Sequence, residues 1–314
     1  MRCFVTGAAG FIGNLLTKRL VDEGHDVKSL IHKTEPKFYV KKAEYVNGDI
    51  TDAESIKSLV RNTDVVFHCA AFVRDYGPRR KFYSVNYEGT KNLVSACESS
   101  KIKKFIFISH IRYESEKDGG YYTKTKAMAE QYLLHKYEEN NFPAVIVRPG
   151  NVYGPNATIW VLRPLEAIQK NRIALIDDGK GIFLHTYIDN LLDALLSVMK
   201  DPKVVGETID ITDGDNTTTW GEYLNCLAKI AGKKSIKKNM SKNTALMLSR
   251  VMIFLYKVFK IEPIITPMAI NVFTNNESIS MEKAESLLGY KPKVDFKEGM
   301  RQVEIWLKNE GYVN

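Results

Sequence analysis

The feature that most constrains this chain is a glycine-rich stretch near its beginning. Arg2 and an apolar run at 3–5 lead into TGAAGFIG at 6–13, and leucine and valine then recur at helical spacing. This order predicts a strand, a tight turn and a helix. Such a turn suits a dinucleotide, because its pyrophosphate can approach the glycines and meet the positive end of the helix. A plain glycine turn is the alternative. The residues expected to contact the dinucleotide are Gly7, Gly10, Phe11, Ile12 and Gly13.

Strand and helix patterns alternate through the first half of the chain. Apolar runs predict five further strands, at 27–31, 43–46, 64–71, 104–109 and 144–147. Residues 85–97 and 122–138 carry apolar side chains at helical spacing. This alternation predicts an α/β fold with a doubly wound parallel sheet, the Rossmann fold. We expect a dinucleotide-binding domain at 1–155 and a smaller, mostly helical substrate-binding part at 156–314. The second part contributes a short strand at 207–211 and is interleaved with the first.

Composition excludes several classes of protein. No apolar run reaches the roughly 20 residues that span a bilayer, and the first residues do not resemble a secretory leader. The cysteines lack metal-ligand spacing, and reduced core thiols are the expected state. They are Cys3, Cys69, Cys97 and Cys226. We therefore expect a cytoplasmic protein without a metal ion.

The net charge of +8 raises the question of an anionic partner. Lysines cluster at 33–42 and at 233–242, but they do not form the aromatic-interleaved block that is typical of a nucleic-acid site. We therefore expect a small-molecule substrate and no nucleic-acid partner. The two clusters either belong to the solvated surface or attract an anionic partner. That partner would be a phosphorylated ligand or an anionic membrane surface.

A Tyr-x-x-x-Lys pair on a helix places a phenol and an ammonium group on one face. The cation favours the phenolate and lowers the tyrosine pKa, which suits acid–base chemistry. The spacing occurs five times, as Tyr87/Lys91, Tyr113/Lys117, Tyr122/Lys126, Tyr132/Lys136 and Tyr256/Lys260. Ligands of open α/β sheets bind beyond the carboxyl ends of the strands. Tyr122/Lys126 opens the helix after the fifth strand, so we predict this pair as catalytic.

These motifs together resemble the extended short-chain dehydrogenase/reductases. That family includes nucleotide-sugar epimerases and dehydratases, dihydroflavonol reductases and 3β-hydroxysteroid dehydrogenases. The resemblance covers essentially the whole chain. The matching segments are 6–13, Gly48-Asp49-Ile50, His68-Cys69-Ala70-Ala71, 85–90, Tyr122–Lys126, RPGNVYGP at 148–155 and LLGYKP at 287–292.

The resemblance implies roles for individual residues. Tyr122 would exchange a proton with the substrate hydroxyl or carbonyl, and Lys126 would hold the nicotinamide ribose. The resemblance places further residues beside the cofactor: Asp49, Ile50, Ala70, Ala71, Pro149 and Val152. The expected activity is that of an NAD(P)-dependent oxidoreductase or epimerase acting at a secondary alcohol or ketone.

One position departs from the family pattern. The family carries Ser-Ser or Ser-Thr after the fifth strand, and the second member hydrogen-bonds the substrate oxygen. Here Ser109 occupies the first position and His110 the catalytic one. Histidine can donate such a hydrogen bond. The alternatives are that Ser109 takes over the role, or that the site is impaired and the protein binds NAD(P) without catalysis.

The end of the second strand bears on the choice of cofactor. An acidic residue there would hold the ribose hydroxyls of NAD, and a basic residue suits the 2′-phosphate of NADP. The strand ends in Leu30-Ile31-His32-Lys33, without a carboxylate. We therefore expect His32 and Lys33 to face NADP, with NAD held by backbone as the alternative.

The substrate stays open between two branches of the family. The segment at 148–155 is shared by sugar-nucleotide enzymes, whereas segments at 187–190 and 211–224 are more similar to the hydroxysteroid and β-ketoacid-reductase branch. Asn151, Tyr153 and His185 are expected to line the substrate pocket.

The apolar stretch 245–259 is too short to cross a membrane and is interrupted by Arg250 and Lys257. These two charges share one face of a helix and leave a broad apolar remainder. The stretch predicts either a core helix over the substrate pocket or a peripheral contact with a lipid-like substrate or a membrane surface. We also expect a homodimer.

Overall fold

The computed structural model describes residues 1–111 and 120–314. The predicted pair Tyr113/Lys117 lies outside the described residues. The strands are β1 (Arg2–Thr6), β2 (Asp26–Ile31), β3 (Glu44–Asn47), β4 (Val65–His68), β5 (Lys104–Ile108), β6 (Ala144–Pro149), β7 (Asn151–Tyr153), β8 (Leu175–Ile176), β9 (His185–Tyr187), β10 (Thr208–Ile211) and β11 (Asn239–Met240).

Seven strands form one parallel sheet in the order β10-β6-β5-β4-β1-β2-β3. The order runs outward in both directions from β1 and β4, which makes the sheet doubly wound. The predicted Rossmann fold is therefore confirmed. Two small parallel pairs, β7 with β9 and β8 with β11, lie outside this sheet.

Helices cover both faces of the sheet. They are α1 (Phe11–Asp22), α2 (Ala53–Lys57), α3 (Arg79–Phe82), α4 (Gly89–Glu98), α5 (Gly120–Asn140), α6 (Arg163–Gln169), α7 (Ile188–Lys200), α8 (Trp220–Ile230), α9 (Lys242–Phe259), α10 (Pro267–Phe273), α11 (Glu282–Leu288) and α12 (Phe296–Asn309). Wider π-helical turns at Tyr83–Glu88 and Thr158–Leu162 lead into α4 and α6. Within the described ranges, none of the helices has both the length and the apolar character that crossing a bilayer requires.

The alternation of side chains along the strands divides the core into two layers. In β5, Phe105 and Phe107 pack on the side of α4 and α5, whereas Ile106 and Ile108 pack on the side of α1 and α7. All four are buried, as expected for a parallel strand that is covered on both faces. Burial on both faces explains why 105–108 is a continuous apolar run in the sequence.

The two halves of the chain are joined inside this sheet. β10 comes from the second half and pairs with β6, where Thr208 lies opposite Ile146. The buried ammonium group of Lys104 donates to the carbonyl oxygens of Val198 (2.6 Å) and Asp201 (2.5 Å) at the end of α7. Burial lowers the pKa of Lys104. A side chain of β5 thus satisfies carbonyls that the helix leaves without partners.

Candidate active site

The glycine turn after β1 leaves no room for side chains. Gly7 has a φ of +70°, and a Cβ there would lie 2.7 Å from the backbone nitrogen of Ala70. A Cβ at Gly13 would lie 2.3 Å from the carbonyl oxygen of Gly7. Helix α1 starts after Gly10 without a side-chain cap and without acidic residues in its first turn. This cradle fits a pyrophosphate, since the helix dipole and the backbone N–H groups attract an anion.

A buried histidine fixes the strand next to the turn. Nδ1 of His68 lies 2.8 Å from Oγ1 of Thr6, and its Nε2 lies 3.0 Å from Oγ1 of Thr90. The Ala70 N–H donates to the same Thr6 hydroxyl. Burial, and secondarily the charge of Lys126, lowers the pKa of His68 to about 3, which keeps the ring neutral. His68 therefore holds the Ala70–Ala71 segment in place against the glycine turn.

A cleft of about 1700 Å³ opens at the carboxyl ends of the strands and runs past the glycine turn. This is the edge where a doubly wound sheet binds its ligands. Most of the predicted site residues line it: Gly7, Gly10, Phe11, Ile12, Gly13, His32, Lys33, Asp49, Ile50, Ala70, Ala71, Ser109, His110, Tyr122, Pro149, Asn151 and Val152. Residues that lie far apart in sequence thus meet in one cavity.

Tyr122 stands in the first turn of α5, on the cleft wall. The ring of His110 lies beside it, with the ring centroids 5.0 Å apart. Ser109 also lines the cleft, and its buried Oγ has no hydrogen-bond partner within 1–111 and 120–314. Both alternatives for the substrate hydrogen bond therefore remain geometrically open, and His110 is the one in ring contact with Tyr122.

Lys126 lies one helical turn after Tyr122 and is 2% exposed. Its ammonium group donates to the carbonyl oxygen of Ile108 (2.5 Å), directly before Ser109, and lies 3.7 Å from the ring centroid of Phe107. Burial lowers the pKa of Lys126 to about 7, although the charge of Glu130 opposes the shift. Through the bond to Ile108, Lys126 supports the strand end that carries Ser109 and His110. Lys126 is not part of the cleft lining, so its expected contact with the nicotinamide ribose stays a prediction.

A buried ion pair fixes α5 on the sheet. Arg148 of β6 donates to Glu130 of α5 from both Nε (3.0 Å) and a terminal nitrogen (2.5 Å). The Glu130 side chain is 1% exposed and that of Arg148 19%. A bidentate pair of this kind fixes the orientation of the two side chains as well as the distance between them. It holds the helix that presents Tyr122.

The end of β2 carries its basic residues into the cleft. His32 and Lys33 both line it, and Nδ1 of His32 lies 3.3 Å from the carbonyl oxygen of Gly48. The Asp49 carboxylate lies 3.7 Å from the same nitrogen and accepts from the Thr51 N–H. The ligand-facing groups at this strand end are thus an imidazole and an ammonium group, with one carboxylate on the neighbouring loop.

The structure corrects the prediction for Tyr153 and His185, because neither lines the cleft. The short β7–β9 pair turns both side chains into the core, where Tyr153 is fully buried among aromatic rings that include Tyr187. His185 is enclosed by carboxylates, with Nδ1 2.7 Å from Asp213. Asn151 does line the cleft, and its Nδ2 has no partner among the described residues, so it is available to a ligand.

The far half of the cleft was not predicted from the sequence. Its walls are largely apolar and come from segments around 160, 220 and 240–273. They include Trp160, Trp220, Leu248, Leu255, Met268 and Phe273. The only part of the sequence that indicated these walls was the apolar stretch 245–259. A helix over the substrate pocket was one of the two structures predicted for it. Part of this stretch does line the cleft, and part of it faces solvent.

The chain is similar to known proteins over its full length. The profile of the NAD dependent epimerase/dehydratase family matches residues 3–212. A 2-alkyl-3-oxoalkanoate reductase of Stenotrophomonas maltophilia (strain K279a) is 26% identical, and the match covers 97% of this chain and 98% of the relative. A decarboxylating sterol-4-alpha-carboxylate 3-dehydrogenase of Mus musculus is 25% identical, over 96% of this chain and 89% of the relative.

A solved structure supports the fold. The crystal structure of a UDP-glucose 4-epimerase from Thermotoga maritima, with UDP-glucose, superimposes with a TM-score of 0.79. The match covers 99% of both chains at 21% identity. Similarity at this level of identity extends to the fold alone.

Proposed function

The chain belongs to the NAD dependent epimerase/dehydratase family, and from this premise we propose that it is an NADP-dependent oxidoreductase for an apolar alcohol or ketone. The observation that carries the proposal is the continuity of one cleft. Its near half holds the glycine turn, Tyr122 and His110, and its far half is largely apolar, with Arg163 and Arg172 as charged members of the lining. These two arginines could meet the phosphates of a nucleotide sugar, but its hydroxyl groups would still lie mostly against apolar walls, at a cost in desolvation.

The residues of the cleft would have separate roles in binding the cofactor and in the reaction. The cradle of Gly7, Gly10 and Gly13 would hold the pyrophosphate, and Lys33 the 2′-phosphate. When bound, the nicotinamide supplies or takes up a hydride. Tyr122 gives a proton to the substrate oxygen during reduction and takes it back during oxidation. His110, with Ser109 as the alternative, donates a hydrogen bond to that oxygen.

The names of the relatives agree with an apolar substrate. The two curated relatives above are called a reductase of 2-alkyl-3-oxoalkanoates and a dehydrogenase of sterol carboxylates. Both names describe a substrate that carries oxygen-containing functional groups on a hydrocarbon skeleton. We therefore place the substrate in the hydroxysteroid and β-keto class, in preference to nucleotide sugars.

The first prediction tests the substrate class. A homologous series of β-keto acids with growing alkyl chains should be reduced with NADPH, and kcat/KM should rise about tenfold for every two methylenes while the chain stays in the cleft. Loss of NADPH absorbance measures the reaction. UDP-glucose, tested by product analysis, should not be turned over. Turnover of UDP-glucose with inert keto acids would contradict the proposal, and NADPH binding without any turnover would favour a non-catalytic protein.

The second prediction concerns the cofactor. Lys33→Ala should weaken NADP binding about tenfold, since one exposed cation on a phosphate contributes on the order of 1 kcal/mol, and should leave NAD binding unchanged. Fluorescence titration of both cofactors measures the difference. Lys41→Ala is the matched control, because Lys41 is exposed in the same lysine cluster but does not line the cleft. Tenfold tighter binding of NAD by the unaltered protein would overturn the choice of NADP.

Three further expectations remain proposals. We propose that the protein works as a cytoplasmic homodimer. We also retain the division into a dinucleotide-binding domain at 1–155 and an interleaved substrate-binding part at 156–314. The apolar far half of the cleft, built largely from the second part, supports that division of labour.

A further inference from the structure

Helix α9 is attached to the protein by a small part of its surface. Only Ala245 and Ser249 of its 18 residues are buried. Large apolar side chains of α9 and the segment after it are instead exposed: Met247 (61%), Val251 (52%), Phe254 (61%), Val258 (53%), Phe259 (63%) and Ile264 (82%). Scattered apolar residues are normal on a surface, but a contiguous set marks an interaction site.

The exposed residues form one stripe. Met247, Val251, Phe254 and Val258 recur at intervals of four, three and four residues, which places them on one face of the helix. Arg250 and Lys257 lie together along the border of this face. A helix with an apolar face and basic borders is the form that lies in the plane of a membrane surface.

The charge around the helix is predominantly positive. Residues 231–264 contain eight lysines and arginines and one carboxylate, that of the exposed Glu262. Within the part of the chain that the structure describes, none of these eight cations forms an ion pair with a carboxylate. Their charge therefore remains available to an anionic partner. Unpaired cations beside an apolar face complement anionic lipid, whose headgroups meet the charges while its acyl region accepts the side chains.

The same helix forms part of the cleft. Leu248, Val251 and Leu255 line it, and so does Ile264. Val251 and Ile264 are thus both exposed and part of the lining. The outer apolar surface therefore continues into the substrate half of the cavity.

We propose that α9 and residues 260–264 form an interfacial element that docks the protein on an anionic membrane surface, with the mouth of the cleft turned toward the lipid. Docking itself is independent of the reaction. That an apolar substrate enters the cleft from the bilayer is a consequence that rests on the function proposed above.

The third prediction tests docking directly. The full-length protein should co-sediment with vesicles of phosphatidylcholine and phosphatidylserine, and about tenfold less with vesicles of phosphatidylcholine alone. High salt should reduce binding to the anionic vesicles, because it screens the lysines. The double variant Phe254→Ser/Val258→Ser should bind at least about tenfold more weakly, since it removes apolar contact area. Neither residue lines the cleft, so turnover of a water-soluble substrate should not change.

Ile305→Ser is the matched control, because Ile305 is an exposed apolar residue on a different helix, α12. Absence of binding to either vesicle at low salt would overturn the proposal. Unchanged binding by the double variant would do the same. Concentration-dependent self-association that the double variant abolishes would assign the face to a second copy of the chain instead. Because sedimentation needs no substrate, vesicle binding by an inactive protein would leave docking intact and contradict only the function.

Discussion

Tyr122→Phe is expected to lower kcat by about 10²- to 10⁴-fold, the usual contribution of a positioned acid or base. Only the phenol oxygen is lost, and the ring that lies beside His110 remains. The affinity for NADP should therefore stay close to that of the unaltered protein. Steady-state turnover of the best keto substrate and a cofactor titration, made on the same preparation, separate the two effects.

The neighbouring residue provides the control. Tyr121 is part of the same helical turn, is exposed and does not line the cleft, so Tyr121→Phe should retain full activity. Equal turnover by the Tyr122→Phe variant and the unaltered protein would remove Tyr122 from the mechanism.

The same assay decides between the two residues that precede α5. His110→Ala should reduce turnover strongly, and Ser109→Ala only weakly, because His110 is in ring contact with Tyr122. The opposite result would show that Ser109 makes the substrate hydrogen bond, and that its buried Oγ finds its partner in the ligand.

A second large effect is expected on stability. Arg148→Met should destabilise the fold by about 3–5 kcal/mol, because it leaves the carboxylate of Glu130 buried without its bidentate partner. Urea denaturation monitored by fluorescence measures the loss. The double variant Glu130→Leu/Arg148→Met removes both charges and should recover part of the stability, since Lys126 then loses the favourable charge of Glu130.

An exposed ion pair serves as the comparison. Lys170→Met breaks the surface pair with Glu166, in which both partners are more than half exposed. That change should cost at most about 0.5 kcal/mol. A loss below about 1 kcal/mol for Arg148→Met would mean that the buried pair is not what fixes α5.

The sequence predicts the sheet and the near half of the cleft because their signals are local. Buried parallel strands appear as continuous apolar runs, and the glycine turn follows from one short stretch. Among five equally spaced pairs, strand order singles out Tyr122/Lys126, because it indicates which edge of the sheet binds ligands. Tyr122 does line the cleft and Lys126 does not, and the catalytic role of the pair stays a prediction. The order of the strands in the sheet, and not the Tyr–Lys spacing, therefore selected this pair.

Tyr153 and His185 were assigned wrongly because polar and aromatic residues beside a motif look the same in sequence whether they face a cavity or the core. Their burial depends on the pairing of β7 with β9, which brings together two short strands from separate parts of the chain. For α9, a position over the pocket describes part of the helix, and the contact with a lipid or membrane surface stays a prediction. Leu248 and Leu255 line the cleft, while Phe254 and Val258 face solvent. Hydrophobic periodicity indicates that a helix has an apolar face, but it does not indicate what packs on that face.

The pairing of β10 with β6 has a consequence for the newly made chain. When β6 leaves the ribosome its outer edge has no neighbour, because Thr208 and Ile209, which pair with Ile146 and Val147, are still to be synthesised. At usual elongation rates the edge waits roughly 3–12 s. An unpaired apolar edge is a template for aggregation. β10 also precedes most of the far wall of the cleft, which comes from Trp220 and from 240–273. The sheet edge can therefore be closed before the cavity is enclosed.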